Sequence, residues 1–156
     1  MGYKIVRCDK IIFVTQQNPA ASLPIDEFER YKTIAMEYGD TPSPSQVIQL
    51  EHPAHLETIG RDRPMTHPIQ ARGEDLHHVH IWQEGCYWED DDDGLKVQWA
   101  STSDSYVVYS YFIDKDDDHH FYVIDYCNDG AHGLIANNTQ VLDWANQAER
   151  YRLRNI

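Results

Sequence analysis

SYVVYSYFI at residues 105–113 and FYVIDYC at residues 121–127 decide the fold class, with the polar DKDDDHH between them. Both runs consist largely of β-branched and aromatic residues, the types that suit a pleated, half-buried surface. The segment 114–119 is acidic and turn-forming, so the two runs are expected to pair as a hairpin. Upstream, residues 75–82 alternate, with His78, His80 and Trp82 on one side and Val79 and Ile81 on the other. That is the period of a strand. Residues 95–99 are expected as a further short strand, and consecutive strands with short connections imply antiparallel pairing.

Helices flank these strands. Ser22 is placed to cap a helix, with Pro24 in its first turn, Asp26 and Glu27 near its positive end and Gly39 as its stop. Phe28, Tyr31, Ala35 and Tyr38 recur at helical spacing and are expected to face the core. At the other end, Asn138 is the expected cap. Val141, Trp144, Ala145 and Ala148 form an apolar stripe, and Arg150, Arg152 and Arg154 lie near the negative end. Residues 3–15, rich in Ile and Val, are read as one or two strands. Residues 40–72 are rich in Pro, His and Ser, and only 46–51 look regular there, as a short helix or strand. The acidic run 89–93 before Gly94 reads as a solvated turn. The expectation is one α+β domain over residues 1–156: an antiparallel sheet of about four or five strands, covered on one face by N-terminal and C-terminal helices.

Composition narrows the function. The longest apolar run, residues 11–14, is far below the roughly 20 residues of a membrane-spanning helix. The opening MGYKIVRCDK places charges where a secretory signal needs an apolar stretch. Cys8, Cys86 and Cys127 are too widely spaced for a disulfide framework or a zinc knuckle, and read as free thiols of a reducing cytoplasm. No G-x-S-x-G, phosphate-binding loop or EF-hand loop is present. A net charge of −13, from 26 Asp and Glu against 13 Lys and Arg, repels phosphate backbones, so any role on RNA must rest on local basic patches.

Five short segments then follow in a fixed order. They are Ile59-Gly60-Arg61-Asp62; EDLHHVHI at 74–81; QWASTSDSYVVY at 98–109; Ala131-His132 with Ala136; and AERYRLR at 148–154. In this order they resemble the FGRD, ER-x-x-HIHL, Q-F-S-x-T-N-D-x-x-L-V-Y, P-H-x-x-A and AEAFRMR segments of YafO-type toxins. FERYK at residues 28–32 has a weaker counterpart. The resemblance implies a RelE-like fold, association with the ribosome and mRNA, and translation-dependent mRNA cleavage without metal or other cofactor. It also implies a cognate antitoxin partner. The chain departs from the pattern where Gly130 and Ala131 replace the family's proline before His132.

The residues can be read beside the resemblance. RNA cleavage by 2′-hydroxyl attack needs a base, a cation for the charge on phosphorus and an acid for the leaving oxygen. His78, His80 and His132 are candidates for proton transfer, Arg61, Arg152 and Arg154 for phosphate, and Tyr109 for stacking or proton donation. Arg152 is placed with the three histidines as the expected catalytic set. Competing uses remain open. His78 and His80 with His119 or His120 could bind zinc or copper, although no HExxH or CxxC pair fixes such a site, and no metal is expected. A non-enzymatic reading is an acidic inhibitor or binding protein on the same fold, motivated by residues 89–93 and 114–118.

Overall fold

The computed structural model describes residues 2–86, 88 and 97–156. The expected acidic turn at 89–93 lies outside these residues, as does the start of the strand expected at 95–99.

Strand β1 (Tyr3–Arg7) runs directly into helix α1 (Asp9–Gln17), so the Ile/Val-rich opening is one strand and a helix where one or two strands were expected. Packing overrides β-propensity here: Ile11 is buried, Ile12 and Phe13 face outward, and Thr15 bonds back to the Ile11 carbonyl. Helix α2 (Pro19–Tyr38) begins a turn earlier than Ser22. Asn18 caps it through the Ala20 N–H at 3.1 Å, with Pro19 at the first position, and Gly39 ends it at φ 74°. Helix α3 (Gln46–Glu51) is capped by Ser45, and β2 (Ile59–Pro64), α4 (Ile69–Gly73) and β3 (Leu76–Ile81) follow. Gln98–Ala100 is a 3-10 turn and not a strand. The hairpin is β4 (Tyr106–Ile113) and β5 (His119–Cys127), as its composition predicts. Short α5 (Ala131–Ile135) leads into α6 (Asn138–Asn155), capped by Asn137 and not Asn138.

The sheet order is β1-β5-β4-β3-β2, antiparallel throughout except that β1 lies parallel to β5. Register decides what each face carries, because directly opposed residues point the same way. His77 opposes Tyr109 and Tyr111 opposes Phe121, and these rings meet α2, where Phe28 lies 5.0 Å from Tyr109. His78 opposes Val108, His80 opposes Tyr106 and Ser110 opposes Tyr122. This second face meets α6, whose Tyr151 stacks on Tyr122 at 4.1 Å. Helices therefore cover both faces, where one covered face was expected.

The α2 face is organised around a fully buried ion pair. Lys32 Nζ donates to Asp62 Oδ2 and to the Tyr109 hydroxyl, each at 2.7 Å, and to the Pro42 carbonyl at 2.6 Å. Tyr31 and Tyr109 donate to the same carboxylate at 2.8 and 2.7 Å. Burial pulls the Lys32 ammonium down against the pull of Asp62, and pushes both tyrosines well up. The backbone of Asp62 is held by Gln49, whose amide accepts from the N–H at 3.0 Å and donates to the C=O at 2.8 Å. Gln98 donates to the Gly60 carbonyl and the Tyr31 hydroxyl. Side-chain amides thus take the place of a neighbouring strand along this stretch of β2.

Removing one member of a buried pair strands the other without water. Lys32→Met is expected to cost about 3–5 kcal/mol of unfolding free energy, measured by urea denaturation. A loss below about 1 kcal/mol, the range of an exposed pair, would show that α2 and β2 are joined by other means.

Candidate functional site

On the α6 face, β2, β3, β4, residues 102–104 and α5 surround an open cleft of about 710 Å³. Its geometry follows from strand alternation. Asp62 points inward to the buried pair, so Arg61 and Arg63 point to the opposite face, and Arg63 lies opposite His78. Gly60 lets this strand approach residue 101: a Cβ there would fall far inside contact distance of the Ser101 carbonyl, whose oxygen accepts the Arg61 N–H at 2.9 Å. The Arg61 guanidinium lies 4.4 Å from the centre of the Trp99 ring, and its Nε donates to the Trp99 carbonyl at 2.7 Å. One edge of the guanidinium is tethered while its charge lines the cleft.

His78, His80 and Tyr106 form a ring cluster on the floor, with centroids 4.4 to 5.7 Å apart. Ser103 presents both its N–H, at 2.8 Å, and its carbonyl, at 3.1 Å, to His80 Nδ1; the shorter N–H contact favours Nδ1 as acceptor, the tautomer that carries the proton of the neutral imidazole on Nε2. Burial, then the charge of Arg61, pulls His80 down to about 4. Burial, then His80 and Arg63, holds His78 well below the usual histidine range, and its buried Nδ1 has no partner among the described residues. Burial, then Asp104, raises Tyr106, which keeps its phenolic proton.

His132 enters from α5 and is exposed at the mouth, its Nδ1 3.5 Å from the Tyr106 hydroxyl. Asp104 holds it there. The Asp104 carboxylate accepts from the Gly130 N–H at 2.9 Å and the His132 N–H at 2.7 Å, and its carbonyl accepts from Ala131 N–H at 3.1 Å. Gly130 adopts φ 73°, which glycine takes without strain, and a proline at 131, directly before His132, would lose the N–H that Ala131 gives to the Asp104 carbonyl.

Arg61, His78, His80 and His132 therefore share one cleft, and the other three expected residues lie elsewhere. Arg152 makes a bidentate pair with Glu74, both bonds at 2.9 Å, which ties α6 to the segment before β3. Tyr109 is on the opposite face, fully buried and bonded to Lys32 and Asp62, so no base can stack on it; Tyr106 is the aromatic ring of the cleft. Arg154 lines a separate small pocket with Arg150. Arg63, Asp104, Tyr106 and His67 are cleft residues not singled out from the sequence. Arg63 becomes legible once residues 59–64 are read as a strand, and Tyr106 once it is known to oppose His80. His119 and His120 are engaged by Tyr111 and by Asp114 with Tyr151, and among the described residues no group of three His, Cys, Asp or Glu side chains gathers as a metal site.

His80 is neutral in the fold and titrates near 4, against about 6.5 in the unfolded chain. Between those values the unfolded state binds the extra proton, so this contribution to stability is complete above pH 6.5 and is lost as the pH falls toward 4. His80→Asn is expected to lose about 2–3 kcal/mol less than the native chain between pH 7 and pH 4.5, at roughly 1.4 kcal/mol per pKa unit. Denaturation curves at the two pH values measure this. Equal acid sensitivity of the two proteins would refute the buried, neutral state of His80.

Among the described residues no helix is long and apolar enough to cross a membrane. Comparison with curated proteins gives no significant match, and comparison with solved structures gives none. The family model for toxin YafO of type II toxin-antitoxin systems matches residues 37–153, a span that holds every cleft residue named above together with Asp62, Gln49 and Tyr109. The chain belongs to the YafO family of type II toxin-antitoxin toxins.

Proposed function

We propose that the cleft of this type II toxin, whose family implies an antitoxin partner, cleaves mRNA on the ribosome, in the cytoplasm, by attack of a 2′-hydroxyl on the adjacent phosphorus without a metal. The observation that carries this reading is the convergence of two arginines, four histidines and a tyrosine on one open cleft from four separate segments of the chain.

Arg61 and Arg63 would hold the scissile phosphate and offset its growing charge, and the His80 Nε2–H would donate to a non-bridging oxygen. Tyr106, buried against the His78 and His80 rings, would present its hydroxyl to His132 and help to orient that imidazole. His78 and His80, pulled down by burial, are weak bases, whereas His132 is exposed, held through its backbone by Asp104 and met at Nδ1 by the Tyr106 hydroxyl, a placement that suits proton transfer. The 2′-hydroxyl proton would pass to His132, the P–O5′ bond would break, and the 5′ oxygen would take a proton from solvent. The products are a 2′,3′-cyclic phosphate and a 5′-hydroxyl. Dependence on the ribosome fits the net charge of −13, which gives free RNA little general attraction, so that a second body must present the strand.

Of the four aspartates in the 114–118 turn that motivate the acidic-inhibitor reading, Asp116 and Asp117 are exposed and Asp114 is buried. Asp114 there is turned inward, accepting from the Asp116 and Asp118 N–H groups and from His120.

Inducible expression with a translation assay and mapping of mRNA ends tests the proposal. Wild type is expected to arrest translation and to leave cut mRNA, and His132→Ala or Arg61→Ala to lower cleavage by roughly 10²-fold or more. Asp104→Asn, which weakens the anchor of α5, is expected to lower cleavage less. Arg152→Ala should act through stability only. Absence of arrest by the wild-type chain would sink the reading.

A further inference from the structure

Tyr122 lies on the same sheet face as the cleft, against Tyr151 of α6, and it opens onto a second pocket of about 220 Å³. Arg150 and Arg154, one helical turn apart on α6, line this pocket with Lys10 and Gln147. Lys10 is held by Asp125 at 2.8 Å. Neither arginine has a carboxylate within 4 Å among the described residues, in a chain with 26 acidic residues, while Arg152 between them is paired with Glu74. Two further features point to a ligand. Tyr122 is only 8% exposed, and among the described residues no hydrogen-bond partner meets its hydroxyl, which faces the pocket. The N-terminus of α1 also meets this pocket, and Cys8 at its cap supplies no side-chain acceptor, its thiol donating instead to the Ile124 carbonyl. The exposed Asp9 on the rim is the one acidic lining group.

We propose that this pocket binds a phosphodiester group of an RNA backbone, as a second, non-catalytic contact. Two guanidinium groups and a phenolic donor match the two non-bridging oxygens of one phosphate, and the charge of Asp9 disfavours more highly charged anions. The inference rests on the proposed RNA cleavage only for the identity of the anion.

The test measures binding of a fluorescein-labelled 12-nucleotide single-stranded RNA, and of purified ribosomes, to the full chain in a His132→Ala background that does not consume the probe. Arg150→Gln with Arg154→Gln is expected to weaken binding by about tenfold or more. It should also reduce the slope of log affinity against log salt by about 0.7, the value for one single-strand phosphate. Tyr122→Phe keeps the stacked ring and removes a hydroxyl that no described residue bonds, so it should weaken binding several-fold with an unchanged melting temperature. A loss seen with the oligonucleotide assigns the phosphate to mRNA, and a loss seen only with ribosomes assigns it to ribosomal RNA; both support the site. Unchanged affinity and salt slope in the double arginine variant would overturn it, as would equal arginine-dependent binding of polyglutamate. If the wild-type chain fails to arrest translation while these dependences hold, the cleavage reading fails and the site stands.

Discussion

Lys32 and Asp62 sit together in the interior with no exposure to water, and they join α2 to β2 and β4, two of the strands that wall the cleft. An ammonium and a carboxylate removed from solvent are tolerated only when their remaining donors and acceptors are filled. Here they are filled from three directions, Tyr31 on the same helix, Tyr109 on β4 and the Pro42 carbonyl after α2, while Gln49 of α3 holds the Asp62 backbone. The pair therefore sets where β2 lies against α2 and α3. Its cost of desolvation makes alternative placements of β2 worse than the native one, which is how a buried polar network can specify a single arrangement.

The same strand then carries the chemistry outward. Alternation along β2 means that anchoring Asp62 on one face presents Arg61 and Arg63 on the other, beside His78 and across from the ring cluster. A shift of one residue would bury the arginines and expose the carboxylate. Gly60 is required one position earlier because the strand there touches the Ser101 carbonyl. The Ile-Gly-Arg-Asp run is thus one mechanical unit: close approach, cleft cation, buried anchor. Asp104 plays a comparable part on the opposite wall, where a single carboxylate gathers the N–H groups that begin α5 and so places His132.

Some of this was legible from residue types alone. The SYVVYSYFI and FYVIDYC runs became β4 and β5, and the LHHVHI alternation became β3, because β-branched and aromatic composition and the alternation of side-chain direction are local properties of the chain, although β3 is buried at every position. The β-rich opening misled, since whether IIFV extends a strand or coils into α1 depends on α2 and β5 packing against it. Helix starts were missed by a few residues at Ser22 and Asn138, where a neighbouring asparagine had the right backbone geometry to cap instead. The site divided in the same way. His78, His80, Arg61 and His132 were visible as residue types suited to phosphate chemistry, whereas Arg152 and Tyr109 had the right chemistry in the wrong place, one clamped by Glu74 and one sealed beneath α2.

Residue order and type were enough to settle the α+β class, the hairpin, the terminal helices and the YafO likeness, because each depends on local periodicity or on motifs contiguous in the chain. Which face each strand residue occupies, that helices cover both faces, and which cations are free and which are paired were settled only by the fold. Those facts depend on cross-strand register and on partners distant in the chain: Lys32 with Asp62, Arg152 with Glu74, His132 with Asp104. Cysteine, histidine and arginine side chains read alike in a string of letters. Burial and neighbours give them different protonation and different work, and both arise when the chain closes on itself.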